Sequence, residues 1–414
     1  MIRKAVFVLC LYACSHSSTP PASGSSGAFG IVTIKGQQKL YLPLGNTVTG
    51  GSIAVVDVGR AGNGASGAPA LIKTIALGAG PQPYSTAGDD TVVIAASTAS
   101  PTVWFIDPRT DTVTKTLTLD NRGTSSFTSG GGYVTGVAVD SAHKRAVLSV
   151  WNGFAIVDLA TQTIARTIVA PPSENFGYDS VRERILAPFY DCTSAADVNG
   201  NPLSICNDYR AGNNTVMTDG LNVIDLKDDA IYTFQDPAAP NPSQPLGAEP
   251  DSAASDPLTG TIVVPSELAS DSKIIDLSKA VFDRTKHSVT APHRSLAADL
   301  TGVAVEPGHH LAFWEAEGLN EIAVAQLGND ATLTRAQLPA APGGTTWSNL
   351  GDPHGIAVAT GIAGGKPVGF VVNDARTWVA RVDLQALLAL QHAGTLGPGE
   401  TAPAVTMLDA THSP

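Results

Sequence analysis

The chain has 414 residues, with 25 Lys and Arg against 37 Asp and Glu, a formal charge of −12, and 41 glycines beside 28 prolines. An acidic balance with no basic patch or stripe excludes nucleic acid and anionic lipid surfaces as partners. Gly and Pro recur at intervals between apolar runs, so they read as turns of a folded chain rather than as disorder.

Residues 1–13 read as an export signal. Arg3 and Lys4 give a positive start, and Ala5 to Ala13 is an apolar run too short to span a bilayer. It ends Leu11-Tyr12-Ala13-Cys14, which resembles a bacterial lipobox, and that resemblance implies lipidation of Cys14. Residues 14–28, rich in Ser, Pro and Gly, read as a flexible tether. Loss of the signal takes the net charge to −14. The expected location is a bacterial cell envelope, periplasm or outer membrane, with a lipid anchor as the one membrane contact, or the exterior.

From residue 29 to 410 the chain reads as one domain of short β-rich runs separated by turns. The first unit has strands at Gly30–Ile34, Lys39–Leu44, Ser52–Asp57 and Leu71–Leu77. The second has Pro83–Ala87, Thr91–Ala96, Thr102–Asp107 and Thr112–Leu119. The third, the clearest, has Gly136–Val139, Ala146–Val150, Phe154–Asp158 and Thr163–Ile168. The fourth starts at Phe176, continues at Arg184–Phe189, and reaches Leu221–Asp225 only after an insertion at about 190–220. The fifth runs from Glu249 through Thr261–Val264 and Ser272–Asp276 to a final strand near His287–Thr290. The sixth has Gly302–Val305, His310–Trp314, Glu321–Gln326 and Ala331–Leu338. The seventh has Gly355–Ala359, Val368–Val372, Trp378–Asp383 and Ala404–Leu408, with a short helix predicted over Leu384–Gln391. Recurrent four-stranded meanders without helices predict an all-β, seven-bladed β-propeller of four-stranded antiparallel blades. A monomer is expected.

Gly136-Val-Ala-Val139, Ala155-Ile-Val-Asp158 and Trp104-Phe-Ile-Asp107 followed by Asp111-Thr-Val resemble the YVTN-type β-propeller repeat. So does Gly80-Pro81 ahead of the second unit, whereas Leu40-Tyr-Leu-Pro43 stands where Tyr-Val-Thr-Asn would. The resemblance covers roughly residues 29 to 390. It implies the propeller fold, and a family that includes binding proteins, scaffolds and lactonases.

In an up-down meander the connection into the innermost strand and the one between strands two and three lie on one face, which the resemblance implies holds the channel mouth. Phe29, Gln82, Thr135, Phe176, Glu249, Thr301 and His354 align just before the innermost strands. Of these, Glu249 could act as a base and His354 as an acid, base or ligand; the alternative is ordinary polar loop positions. The second-strand ends carry Asn152, Asp191, Glu267, Glu315 and Asp374. Converging carboxylates would suit Ca²⁺, the one cofactor suggested; solvated loop acids are the alternative. Trp151, Tyr190 and Trp314 fall at the same ends and would serve ligand contacts if exposed, or blade packing if buried. Cys192 and Cys206, both in the insertion, are the pair left once Cys10 and Cys14 are assigned to the signal. Export makes a disulfide between them plausible, contributing about 3 kcal/mol by loop closure. The combined expectation is an exported, lipid-anchored propeller that binds a protein partner or small molecule at the channel mouth, with Gln82, Thr135 and Thr301 in contact. A lactonase-like or metal-dependent hydrolase at that mouth is the alternative, and a structural envelope protein a further one. Catalysis is left open.

Overall fold

The computed structural model describes residues 30–409 apart from 35–36, 45–50, 61–69, 79–82, 99, 120–133, 151–152, 172, 174, 191–216, 270, 298–299, 317–318, 329–332, 341–343, 345–352, 361–365, 374–377, 396–398 and 403–404. Strand dominates what is described, at 61%, far above the usual quarter or so. Blade 1 comprises β1 (Gly30–Ile34), β2 (Gln37–Leu44), β3 (Ser52–Arg60) and β4 (Ala70–Ala76). Blade 2 comprises β5 (Pro83–Gly88), β6 (Val93–Ser97), β7 (Thr102–Asp107) and β8 (Thr112–Thr118). Blade 3 comprises β9 (Val134–Asp140), β10 (Arg145–Val150), β11 (Gly153–Asp158) and β12 (Thr163–Val169). Blade 4 is built on β13 (Gly177–Asp179), β14 (Arg184–Phe189), β15 (Gly220–Asp225) and β16 (Ala230–Phe234). Blade 5 has β17 (Ala254–Asp256), β18 (Thr261–Ser266) and β19 (Asp271–Asp276). A hairpin, β20 (Val281–Asp283) and β21 (Ser288–Thr290), precedes its last strand β22 (His293–Ala297). Blade 6 comprises β23 (Gly302–Glu306), β24 (Leu311–Ala316), β25 (Glu321–Gln326) and β26 (Thr334–Gln337). Blade 7 comprises β27 (Pro353–Thr360), β28 (Pro367–Asn373), β29 (Trp378–Asp383) and β30 (Val405–Asp409), with helix α1 (Leu384–His392) between the last two.

Within each blade the four strands pair in chain order. First strands touch first strands of the next blade, β1 with β5, β5 with β9, β13 with β17, β17 with β23, β23 with β27, and β27 with β1. They therefore line the centre of a closed ring, and the fold is the seven-bladed β-propeller.

The apolar runs explain the ring. Strands of a middle layer are buried on both sides, so they read as continuous hydrophobic stretches rather than as alternations. In β6, Val93 and Ala95 join a cluster with Tyr41, Ile53 and Val55 of blade 1. Ile94 and Ala96 join one with Val137, Ala146 and Leu148 of blade 3. A strand's two-residue period thus serves two seams at once. The buried clusters follow this rule at every seam: blades 3 and 4, 4 and 5, 5 and 6, 6 and 7, and 7 and 1. Each fully buried Leu, Ile, Val or Phe contributes about 1.5–3 kcal/mol, so cohesion lies between blades.

The helix forms where expected. Asp383 caps it, its Oδ1 accepting the Ala386 N–H at 2.9 Å, and Leu384, Leu387 and Leu388 bury against the seam of blades 6 and 7. One strand differs from expectation. His287–Thr290 does not close blade 5; Ser288 and Val289 of β21 pair in parallel with Thr233 and Phe234 of β16. The hairpin therefore extends blade 4 to six strands, and β22 completes blade 5 instead. The physical reason is the open outer edge of β16, whose apolar Tyr232 and Phe234 share a cluster with Val289. Blades 1 and 7 each draw all four strands from their own stretch of chain. Among the described residues the ring therefore closes by side-chain packing, with no strand exchanged across that seam.

Candidate functional site

The two faces of the ring differ in kind. One, here the turn face, carries the links from first to second and from third to fourth strands. Eight of its turns share one construction. An acid accepts backbone N–H groups two or three residues on, and the residue four places after it adopts a left-handed conformation. The acids are Asp107, Asp140, Asp158, Asp179, Asp225, Asp256, Asp283 and Glu306. The left-handed residues are Asp111, Lys144, Gln162, Glu183, Asp229, Gly260, His287 and His310. Representative bonds run from Arg109 N to Asp107 at 2.8 Å, from Thr161 N to Asp158 at 2.8 Å, from Arg182 N to Asp179 at 2.9 Å and from His309 N to Glu306 at 2.8 Å. Side-chain caps of this kind satisfy the turn's own backbone donors.

The same turns brace neighbouring blades. Buried Asp111 of blade 2 accepts from Lys39 Nζ at 2.7 Å and from the Tyr41 hydroxyl at 2.5 Å, both in blade 1. Burial, then that carboxylate, push the Tyr41 hydroxyl far above its ordinary value. Between blades 3 and 4, Arg145 Nη2 reaches the Tyr178 hydroxyl at 2.8 Å and Glu183 at 2.9 Å, while the Tyr178 hydroxyl donates to Asp140. Burial pushes the Asp140 carboxyl up, but the hydrogen bonds from Tyr178 and His143 outweigh it and hold the group below the usual carboxylate range. Arg182 donates to Pro257 O at 2.9 Å between blades 4 and 5, and His310 Nδ1 lies 2.6 Å from Asp256 between blades 5 and 6. The polar chemistry of this face is spent on holding the ring together.

The opposite, entry face carries the connections into each first strand and between second and third strands. Here the connections vary from two residues to thirty. The innermost strands begin irregularly, with register shifts at Pro83/Ser85, opposite Ser149/Val150, and at Pro353/Ile356. Bulges at strand ends re-aim side chains and are common beside functional sites.

Sequence-expected residues distribute unevenly over this face. Thr135 lies within β9, its Oγ1 donating to Ser173 O at 2.9 Å, and Ser149 also donates to that carbonyl. Phe176 packs edge-on against Phe154, centroids 5.3 Å apart. Thr301 is buried, its N–H on Glu315 O at 3.0 Å and its carbonyl accepting from Ser252 Oγ at 2.9 Å. Glu249 is half-buried with φ 53°, an unusual conformation for a residue before proline, and its carbonyl accepts the Glu267 N–H at 2.9 Å. Tyr190 is half-buried just past β14. The backbone of His354 belongs to β27. Gln82, Trp151, Asp191, Cys192, Cys206, Asp374 and Cys14 lie outside the described residues.

Two expectations are corrected. Trp314 is not an exposed contact residue. It is fully buried in the seam of blades 5 and 6, because its strand position points into that seam. Glu315 and Glu267 are not equivalent: Glu315 lies inside β24 whereas Glu267 lies one residue beyond β18. Glu315 is buried, its Oε2 accepting the Gly355 N–H at 2.8 Å. Gly355 has φ 145°, a conformation that favours glycine, and a Cβ on Gly302 would sit 2.4 Å from Glu315 Oε1. The carboxylate thus ties blade 6 to blade 7. Among the described residues no three His, Cys, Asp or Glu side chains gather to hold a metal ion, and no helix is long and apolar enough to cross a membrane.

No family model and no curated protein sequence matches the chain. Solved structures match its fold. The hydrazine synthase of Kuenenia stuttgartiensis shares 11% identity over 93% of this chain and 96% of that one, with a TM-score of 0.51. The WD40 domain of Toxoplasma gondii coronin shares 8% identity over 87% and 81%, with a TM-score of 0.52. KlAtg21, solved with the coiled coil of AgAtg16, shares 8% identity over 87% and 94%, with a TM-score of 0.50. At such identities the likeness establishes the fold alone.

Proposed function

We propose that this propeller is an exported, lipid-anchored binding protein of the YVTN-like kind, and that its entry face docks a protein partner. The observation that carries the reading is the contrast between faces. Eight turns of the turn face are short, capped by their own acid, and several of them brace neighbouring blades, whereas the entry face carries the longest connection between blade strands, thirty residues from β14 to β15, over a rigid scaffold, as recognition surfaces do. Export rests on the signal-like residues 1–13 and Cys14, and a Cys192–Cys206 disulfide would pin the longest connection. KlAtg21 in complex with the coiled coil of AgAtg16 offers a precedent for a chain of related fold meeting a protein. The test is site-specific photo-crosslinking in cells, with the reactive residue at Leu268 on the entry face or at Leu258 on the turn face. Both leucines are more than half exposed. Adducts from position 268 and none from 258 are expected; adducts from 258 alone would overturn the reading.

A further inference from the structure

The seam between blades 5 and 6 buries two polar atoms that the fold leaves unpartnered. Trp314 in β24 and Ser272 in β19 are both fully buried. Among the described residues, neither Nε1 of the Trp314 indole nor Oγ of Ser272 has a hydrogen-bond partner. Buried polar side chains are paired in the large majority of cases, because an unpaired one forfeits its hydration for nothing.

Strand register puts both groups in one seam. Trp314 pairs with Val303 on one side and Ala323 on the other, and all three belong to the cluster that joins blades 5 and 6. Ser272 pairs with Pro265 and with Leu296, and Leu296 packs against that same cluster. Directly paired residues project to one face of a sheet, so Ser272 faces blade 6 as Trp314 faces blade 5. Ile274, two residues along β19 from Ser272, also belongs to the cluster, as the two-residue period requires. The seam turns polar at this, its entry-face end, where Ser252 Oγ reaches across to Thr301 O at 2.9 Å.

We propose that this seam binds a single buried water molecule, which accepts a hydrogen bond from Trp314 Nε1 and is joined to Ser272 Oγ. The chemistry of the two groups selects the occupant. An indole N–H donates and does not accept, so the occupant is an acceptor and not a cation; a hydroxyl does both. The surrounding Val263, Ile274, Ala316 and Ala323 are apolar and buried, and such walls penalise a net charge, which excludes an anion. A small neutral molecule that both accepts and donates meets these conditions, and buried waters typically make about three hydrogen bonds. Ser252 Oγ, whose own proton goes to Thr301 O, keeps lone pairs for the third. The water ties the third strand of blade 5 to the second strand of blade 6 where apolar packing gives way to the entry face. It complements the contact of His310 with Asp256 across the turn-face end of the same seam.

The test is a crystal structure of the purified mature chain at a resolution that shows ordered solvent, beside one of Ser272→Val. Valine suits a strand and puts a methyl group where the water would lie. In the parent, one solvent peak should lie about 2.7–3.2 Å from both Trp314 Nε1 and Ser272 Oγ; in the variant it should be gone. A solution measurement accompanies it. Among the indole N–H signals of the five tryptophans, that of Trp314 is the one missing from Trp314→Phe. It should move upfield in Ser272→Val and hold its place in Leu258→Ser, a change at an exposed position of blade 5. A direct bond between Trp314 and Ser272, a peak that touches only one of them, or no peak at all would overturn the proposal. So would an indole signal that ignores Ser272→Val or responds equally to both changes.

Discussion

Phe370→Ala tests how the ring is closed. Phe370 in β28 is fully buried and meets Leu40, Leu42, Ala54 and Val56 of blade 1. Among the described residues no strand crosses this seam, so side-chain packing is what joins the first blade to the last. Truncating a buried Phe costs about 3–5 kcal/mol in lost transfer energy and residual cavity, a large part of the 5–15 kcal/mol that folded domains typically hold. Phe105→Ala, in the seam of blades 2 and 3, removes the same atoms from an equally buried site whose blades are also joined covalently. Both variants should lose stability to urea by similar amounts. Native-state hydrogen exchange should separate them. Phe370→Ala should speed exchange in β1–β3 and β27–β29 through local opening, while Phe105→Ala should act through global unfolding alone. If both variants give one uniform exchange pattern, packing at the closing seam has no special role and the argument fails.

Three further outcomes are expected. Gly369→Ala would put a Cβ 2.5 Å from the ring of fully buried Phe313 across the seam of blades 6 and 7; an overpacking loss of about 1–3 kcal/mol in urea unfolding should result, and an unchanged midpoint would contradict the close approach. Tyr178→Phe removes the hydroxyl bound to Asp140 and Arg145 and should cost about 1.5–3 kcal/mol near neutral pH. Because the Asp140 carboxyl is held low in the fold, its contribution is present above the ordinary carboxyl value of about 3.9 and is lost as pH falls through its folded value. The gap between variant and parent should therefore narrow from pH 5 to pH 2, and a gap that stays constant would assign the loss to packing. Thiol titration of the denatured, unreduced mature protein should find neither Cys192 nor Cys206 free; two free thiols would remove the disulfide.

The blades were legible because their middle strands are buried on both sides and therefore stand out as runs such as Val93–Ser97 and Ala146–Val150 between polar turns. The last strand of blade 5 was not. Its residues, His293-Arg-Ser-Leu-Ala297, are mostly polar, and the preceding hairpin offers a more strand-like pattern that serves a different sheet. At the entry face, a carboxylate near a strand end could be read, but its direction could not. One residue of register decides whether Glu315 faces Gly355 of blade 7 or the seam with blade 5 that Trp314 fills. The repeated turn escaped notice because its left-handed position usually holds Lys, Glu, Asp, Gln or His, so the expected glycine marker is missing. The recoverable signal was the acid four residues earlier.

The hairpin of β20 and β21 sets an order on the maturation of the molecule. The edge strand β16, with Ile231, Tyr232 and Phe234, leaves the ribosome before β17, β18 and β19, and only then does β21 arrive to cover it. Until that moment blade 4 presents an unpaired, apolar strand edge, the kind that recruits other chains. A chain held at that stage would present this unpaired edge to other chains, so the time spent between β16 and β21 governs how safely this propeller folds.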